Sequence, residues 1–311
     1  HVETVVYDKI LPNPIKEHVM EAAAICREEK CDFVVGLGGG SSIDSAKSIA
    51  VMACNDGDYW DYVSGGSGKG RPVTKALPII AIPTTAGTGT EMDPWTVITH
   101  ETAQEKIGFG CQLTFPTLSI VDPELMYSMP KGLNCATPIS DLYALEAIRL
   151  IYKYLPVAVA DGKNLKARAK IAWASTLAGM VEATSSCTSE HSLEHAMSAY
   201  YPQLPHGAGL IALSEAYFET FRHDCTKRYM KMAEMMTQKK SNRPSDFIDA
   251  LITLQKECKV HSIKLSEFGI QSEDFPKFLQ NARDTMGGLF TLDPRPITDE
   301  EILHIFKNSY K

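Results

Sequence analysis

Three histidines crowd together in the second half of the chain, in Glu190-His191-Ser192-Leu193-Glu194-His195 and then in Pro205-His206. His191 and His195 are four apart, so on a helix they share one face. His206 follows a proline-containing turn, sits beside Gly207 and can return to the same place. Imidazole near neutral pH serves as metal ligand, general acid or base, or proton relay. The pattern is not that of the zinc proteases, which need Glu directly after the first His. Two histidines underfill a metal site, which takes three or four ligands; Asp141 and Glu146 are the nearest acidic candidates by position. The plainer alternative is a helical pair that is exposed or satisfied within a core.

A second chemistry is written in Gly36-Leu37-Gly38-Gly39-Gly40-Ser41-Ser42. Glycines between a strand and a helix let backbone N–H groups approach a phosphate, and the helix N-terminus adds its positive dipole end. The run is not the dinucleotide fingerprint, whose third glycine would fall at Ser41, nor a P-loop, since no Gly-Lys-Ser/Thr ending follows. A tight turn with no ligand is the bland reading, but three consecutive glycines and two serines exceed what a turn needs. Pro83-Thr84-Thr85-Ala86-Gly87-Thr88-Gly89-Thr90-Glu91 follows another strand. Four hydroxyls and two glycines at a strand's C-terminal end are what an α/β sheet offers a ligand at its crevice. A flexible polar loop is the alternative there, and two such loops on neighbouring strands strengthen each other.

These residues need a scaffold. Strand-like stretches (Val2–Tyr7, Asp32–Leu37, Leu77–Ile82, Leu118–Val121) alternate with helical ones (Ile15–Lys30, and a helix running to about Cys54 that Ser41 or Ser42 can cap), with a hairpin over Trp95–Thr99 and Lys106–Phe109. Such alternation predicts a parallel sheet with helices on both faces. After Pro130 only helices are expected: Asp141–Tyr154, Asn164–Thr184, Ser189–Tyr200, Gly207–Thr220, Thr226–Thr237, Pro244–Lys256 and Pro276–Met286. The predicted class is α/β plus all-α: a Rossmann-like parallel-sheet domain over 1–131 and a helical domain over 132–311, with ligands in the cleft between them.

The composition narrows the partners. At 311 residues the length suits two domains of about 150 residues each. Thirty-one Lys+Arg against 38 Asp+Glu leave a net charge of −7, which argues against nucleic acid and against an anionic membrane surface. No apolar run approaches the length of about 20 that spans a bilayer. Eight scattered cysteines without a CxxC pair read as reduced thiols of a cytoplasmic protein. The chain enters directly on an alternating stretch, and a preceding segment is expected to be missing.

Together the motifs resemble the iron-dependent (group III) alcohol dehydrogenases, most closely their butanol-dehydrogenase-like members. The resemblance rests on Gly38-Gly39-Gly40-Ser41-Ser42-x-Asp44-x-x-Lys47, on Pro83-Thr84-Thr85-x-x-Thr88-Gly89-Thr90-Glu91, on Phe115-Pro116 with Val121-Asp122-Pro123, and on His191-x-x-x-His195 followed by Pro205-His206-Gly207. It implies a metal-dependent alcohol dehydrogenase or aldehyde reductase that moves a hydride between NAD or NADP and a short-chain alcohol or aldehyde. Gly38, Gly39, Gly40, Ser41, Ser42 and Asp44 would hold the cofactor pyrophosphate, and Thr84, Thr85, Thr88 and Thr90 the nicotinamide half. Lys106 would lie near the ribose. His191 and His206 would bind Fe2+ or Zn2+, and His195 would be the catalytic histidine near the nicotinamide. A homodimer is expected, closed symmetric dimers being the commonest oligomers.

Two departures stand out. The family carries an Asp-x-x-x-His pair on a helix after the domain junction. Here Met129-Pro130-Lys131-Gly132-Leu133 runs almost directly into Asn134-Cys135-Ala136-Thr137-Pro138, so that helix is expected either to be left out of this sequence, with the metal site empty, or to be truly deleted, which would leave two histidines unable to hold a catalytic metal tightly. Asp141 belongs to the following helix and is not that ligand. The family's first strand and helix, which help to choose between NAD and NADP, also precede anything seen here. The competing expectation is a catalytically inactive NAD(P)-binding relative that lacks a complete metal site.

Overall fold

The computed structural model describes residues 3–126 and 138–310. The junction at 127–137, where the ligand-bearing helix is expected to be missing, lies outside the described residues.

The first half is built on three parallel strands in the order β1 (Val34–Gly38), β2 (Ile79–Pro83) and β5 (Leu118–Ser119). Helix α1 (Lys16–Glu28) ends where Lys30 takes a left-handed backbone, and α2 (Gly40–Met52) packs along β1. Gly36 permits that packing, since a Cβ there would meet Ile43 Cα at 2.9 Å. The antiparallel pair β3 (Thr96–His100) and β4 (Glu105–Phe109) forms the expected hairpin. Val19, Met52, Tyr59, Trp60, Ile98 and Ile107 fill the core between these elements.

The second half is all helix among the described residues: α3 (Pro138–Ala160), α4 (Leu165–Thr184), α5 (Ser189–Tyr200), α6 (His206–Thr220), α7 (Thr226–Thr237), α8 (Ser245–Glu257), α9 (Phe275–Met286) and α10 (Asp299–Tyr310). Leu193, Met197, Leu213, Phe278 and Phe306 anchor its core. Helix α5 is buried nearly all round, polar residues included. Buried polar groups must find partners: Glu194 and Ser198 find them in the site, while Ser189 and Ser192 bond to Tyr217 and to the Met286 carbonyl.

Four expectations are corrected. Residues 3–7 form no strand, because alternation without a neighbouring strand to pair leaves the segment extended and irregular. The cap of α2 is Gly39 with no side-chain cap bond, and Ser41 and Ser42 lie inside the first turn. Helices do not cover both sheet faces among the described residues: Val35 and Leu37 on the face opposite α2 are 44% and 60% exposed. Finally α10, whose Ile302, Ile305 and Phe306 repeat at helical spacing, adds a helix that the sequence reading left out.

Candidate metal centre and cofactor cleft

His191 and His195 project from α5, and His206 is the first residue of α6, with Pro205 as its N-cap. Proline's fixed backbone suits a helix entrance, and the turn folds His206 back against α5. The ring centroids lie 6.3 Å apart for His191–His195 and 5.2 Å for each of the two pairs with His206. A nitrogen from each ring falls within 4.8 Å of the others. Burial, then the neighbouring His206, pushes His191 down to about 3. Burial, then Lys106, holds His195 well below the usual imidazole range. Both rings therefore stay neutral and keep a lone pair to offer. Three imidazoles so placed, two of them barred from protonation, fit a divalent cation. Neither acidic candidate joins them: Asp141 pairs with Arg228 at 3.0 Å and Glu146 with Arg149 at 2.6 Å.

A carboxylate that sequence reasoning passed over does reach the cluster. Glu194 is 0% exposed, and its Oε2 accepts from His206 Nδ1. Its other oxygen accepts from Ser198 Oγ, and Lys106 Nζ stands 3.6 Å away. Burial alone would raise this carboxyl, but His206 and Lys106 hold it well below the carboxylate range. The signal was present in the sequence: a Glu beside His195, on a helix too apolar around it to leave a charge in water.

The glycine loop occupies the other wall. Gly38 has φ +151°, and a side chain there would collide with Ser42. Gly39 and Gly40 press on the threonine loop, where Cβ atoms would come 3.1 Å from Thr85 and 2.9 Å from Thr88. The Thr84 N–H donates to the Gly38 carbonyl at 2.8 Å. The two loops thus form one surface at the C-terminal ends of β1 and β2, with Ser41, Ser42, Thr84 and Thr85 half-buried and Thr88 exposed.

Beneath that surface Asp44 and Thr90 turn toward each other, the hydroxyl donating to Asp44 Oδ1 at 2.6 Å, while Val97 N–H donates to Oδ2 at 2.9 Å. Lys47 Nζ donates to Thr90 Oγ1 at 2.5 Å and to the Trp95 carbonyl at 2.6 Å, and reaches Asp93 at 3.2 Å. Burial, opposed by Lys47 and reinforced by Glu182 and Asp44, pushes Asp93 up to about 8. Asp44 and Thr90 therefore spend their side-chain oxygens on holding the loops together.

Several contacts close the cleft. Lys106 on β4 donates to Asn13 Oδ1 and to Ser198 Oγ, each at 3.1 Å, and Asn13 Nδ2 donates to the Pro202 carbonyl at 3.0 Å. Thr176 of α4 donates to Glu91 at 3.1 Å. These contacts join the half that carries the glycine loop to the half that carries the imidazoles.

Against this geometry the family comparison is decisive. The profile of the iron-containing alcohol dehydrogenases matches residues 1–123, and that of the C-terminal part of the Fe-containing family matches residues 133–310. The chain belongs to the iron-containing alcohol dehydrogenase family. It is an alcohol dehydrogenase of the iron type, and its fold is that family's fold. Alcohol dehydrogenase 4 of Saccharomyces cerevisiae is 31% identical over 326 residues, covering 98% of this chain and 83% of its own. The archaeal halo-thermophilic alcohol dehydrogenase from a Red Sea brine pool superposes with a TM-score of 0.92 at 35% identity, over 99% of this chain and 84% of that one. The NADH-dependent butanol dehydrogenase A of Thermotoga maritima gives 0.82 at 28% identity, over 97% and 82%. No helix among the described residues is long and apolar enough to cross a membrane.

Proposed function

We propose that this enzyme interconverts short-chain alcohols and aldehydes with NAD as hydride carrier, using a divalent metal, iron by family, for which His191 and His206 supply two of the ligands. The observation that carries the reading is the trio of imidazoles on α5 and α6, one nitrogen of each within 4.8 Å of the others. A bound cation supplies Lewis acidity toward the substrate oxygen, and the nicotinamide supplies the hydride chemistry. The protein does the rest. Gly38, Gly39, Gly40, Ser41 and Ser42, at the N-terminus of α2, bind the pyrophosphate through backbone N–H groups. Asp44 and Thr90 fix that loop from below, while Thr84, Thr85 and Thr88 border the nicotinamide half. Lys106, on the ribose side, is braced by Asn13, Ser198 and Glu194. His195, kept neutral in the resting cleft, takes the hydroxyl proton of the alcohol and passes it toward solvent.

The domain division near residue 131, a homodimeric assembly and a reducing, cytoplasmic setting belong to the same proposal; the seven cysteines among the described residues are all free thiols, which supports the last. An NAD(P)-binding scaffold without hydride chemistry is not favoured, because the similarity to alcohol dehydrogenase 4 runs through 98% of the chain.

The test is metal analysis of fresh protein beside NADH- and NADPH-linked reduction of butanal. Activity lost with chelator and restored by Fe2+ or Zn2+, greater with NADH, is expected. A His206→Ala variant that keeps its activity after chelation would sink the assignment.

A further inference from the structure

Glu194 has no role in the chemistry described so far, yet it touches both halves of the molecule and a metal-binding imidazole. A carboxylate can only accept, so the bond between Glu194 Oε2 and His206 Nδ1 places the ring proton on Nδ1 and leaves the Nε2 lone pair free. The carboxylate itself is held in place. Ser198 caps Oε1, Lys106 flanks Oε2 at 3.6 Å, and Gly209 of α6 makes room for it, since a Cβ there would come 2.7 Å from Glu194 Cγ. The side chain is buried, so its anchoring is set by these neighbours and not by water.

We propose that Glu194 is a positioning residue of the metal centre, one that fixes the tautomer and orientation of His206 and ties them, through Lys106 on β4, to the cofactor-binding half. The inference rests on the metal-dehydrogenase reading above. A carboxylate on the far nitrogen of a ligating histidine raises that ligand's basicity and pins its ring, and its loss typically weakens metal binding by about 10–100-fold. Lys106 acts in the opposite sense: it anchors Glu194 but puts a positive charge beside a site for a dication.

The test is a cobalt(II) titration of the metal-free enzyme, followed by visible absorption, with thermal melting as a control for folding. Glu194→Ala is expected to weaken cobalt binding by about 10–100-fold, Glu194→Gln by less, since its amide oxygen still accepts from Nδ1 without the charge. Lys106→Met, which removes the competing cation, is expected to bind cobalt at least as tightly as the parent. Glu194→Ala and Glu194→Gln both within threefold of the parent, with its spectrum, would overturn the proposal. So would Lys106→Met weakening in step with them, which marks general loosening of the seam. If Glu194→Ala does not fold, the opposite responses of Glu194→Gln and Lys106→Met decide. A parent enzyme that takes up no cobalt, or a His206→Ala variant that binds it undiminished, overturns the metal reading itself and this inference with it.

Discussion

Gly89 of the threonine loop and Gly179 of α4 meet backbone to backbone where the two halves join, so closely that neither position has room for a methyl group. Gly89 also needs its positive φ of 69°. Gly179 sits within a helix, where alanine would gain about 1 kcal/mol of propensity. A Cβ aimed at the Gly89 carbonyl costs about 1–3 kcal/mol or more, since packed backbone cannot yield cheaply. Gly179→Ala is therefore expected to lower stability and to raise the KM for NADH by displacing the threonine loop. Calorimetry together with steady-state kinetics checks both, and an unchanged KM would show that the loop does not depend on this contact.

Lys47 is a buried cation enclosed by Thr90, Asp93 and the Trp95 carbonyl. Removing one member of a buried pair leaves the other charge uncompensated, at a cost of about 3–5 kcal/mol. Lys47→Met should be destabilised by that order in urea unfolding at pH 9, above the value near 8 at which Asp93 ionises, and by less at pH 6, where Asp93 is neutral. Lys47→Met with Asp93→Asn should recover a good part of the loss, because no orphan carboxylate is left at that pair.

Much of this arrangement was legible in advance, and the reasons are physical. Helices α5 and α7 begin and end where their periodicity says, because apolar spacing is a local property. The glycine and threonine loops announce themselves by residues that a loop alone does not need. Asp44 and Thr90 stand out as polar residues of the two loops, but their hydrogen bond to each other is a relation between positions 46 residues apart that no local pattern encodes. Glu194 was hidden for the same reason: its importance comes from Lys106, 88 residues away on a different element. The strand expected over Val2–Tyr7 failed because a strand needs a partner, and alternation shows only the willingness to have one.

Asp93 makes the pH dependence of stability testable. Its carboxyl is raised in the folded state to about 8 by burial, which Lys47 opposes and Glu182 and Asp44 reinforce, against an ordinary value of 3.8. Between those values the folded state holds a proton that the unfolded chain has lost, so stability falls as pH rises through that window. Asp93→Asn removes this contribution. Its stability relative to the parent should improve between pH 5 and about 8, as read by urea unfolding at the two pH values. A difference that does not vary with pH would mean that Asp93 is ionised throughout.

The glycine loop can be challenged without touching the metal. A Cβ on Gly39 would come 3.1 Å from Thr85 Cγ2, and the two further methyls of valine would wedge the loops apart over the α2 N-terminus. Gly39→Val is expected to weaken NADH binding at least about tenfold, the equivalent of about 1.4 kcal/mol, while metal content stays at the parental level. Fluorescence titration with NADH and metal analysis of the same preparation provide the two readouts. Loss of metal together with NADH would show a global disturbance instead of a local one.

His195 separates proton transfer from metal binding. All three imidazoles have a nitrogen within 4.8 Å of the others, yet only His191 and His206 are assigned to the cation. Burial and Lys106 keep His195 neutral, so it starts as a base and becomes charged only when it takes a proton. Loss of a general base typically costs about 10²–10⁴ in rate. His195→Ala should retain its metal and lose kcat within that range, with KM for NADH little changed. If metal content instead falls as far as in His206→Ala, then His195 is a ligand, and the hydroxyl proton must leave the cleft by another route.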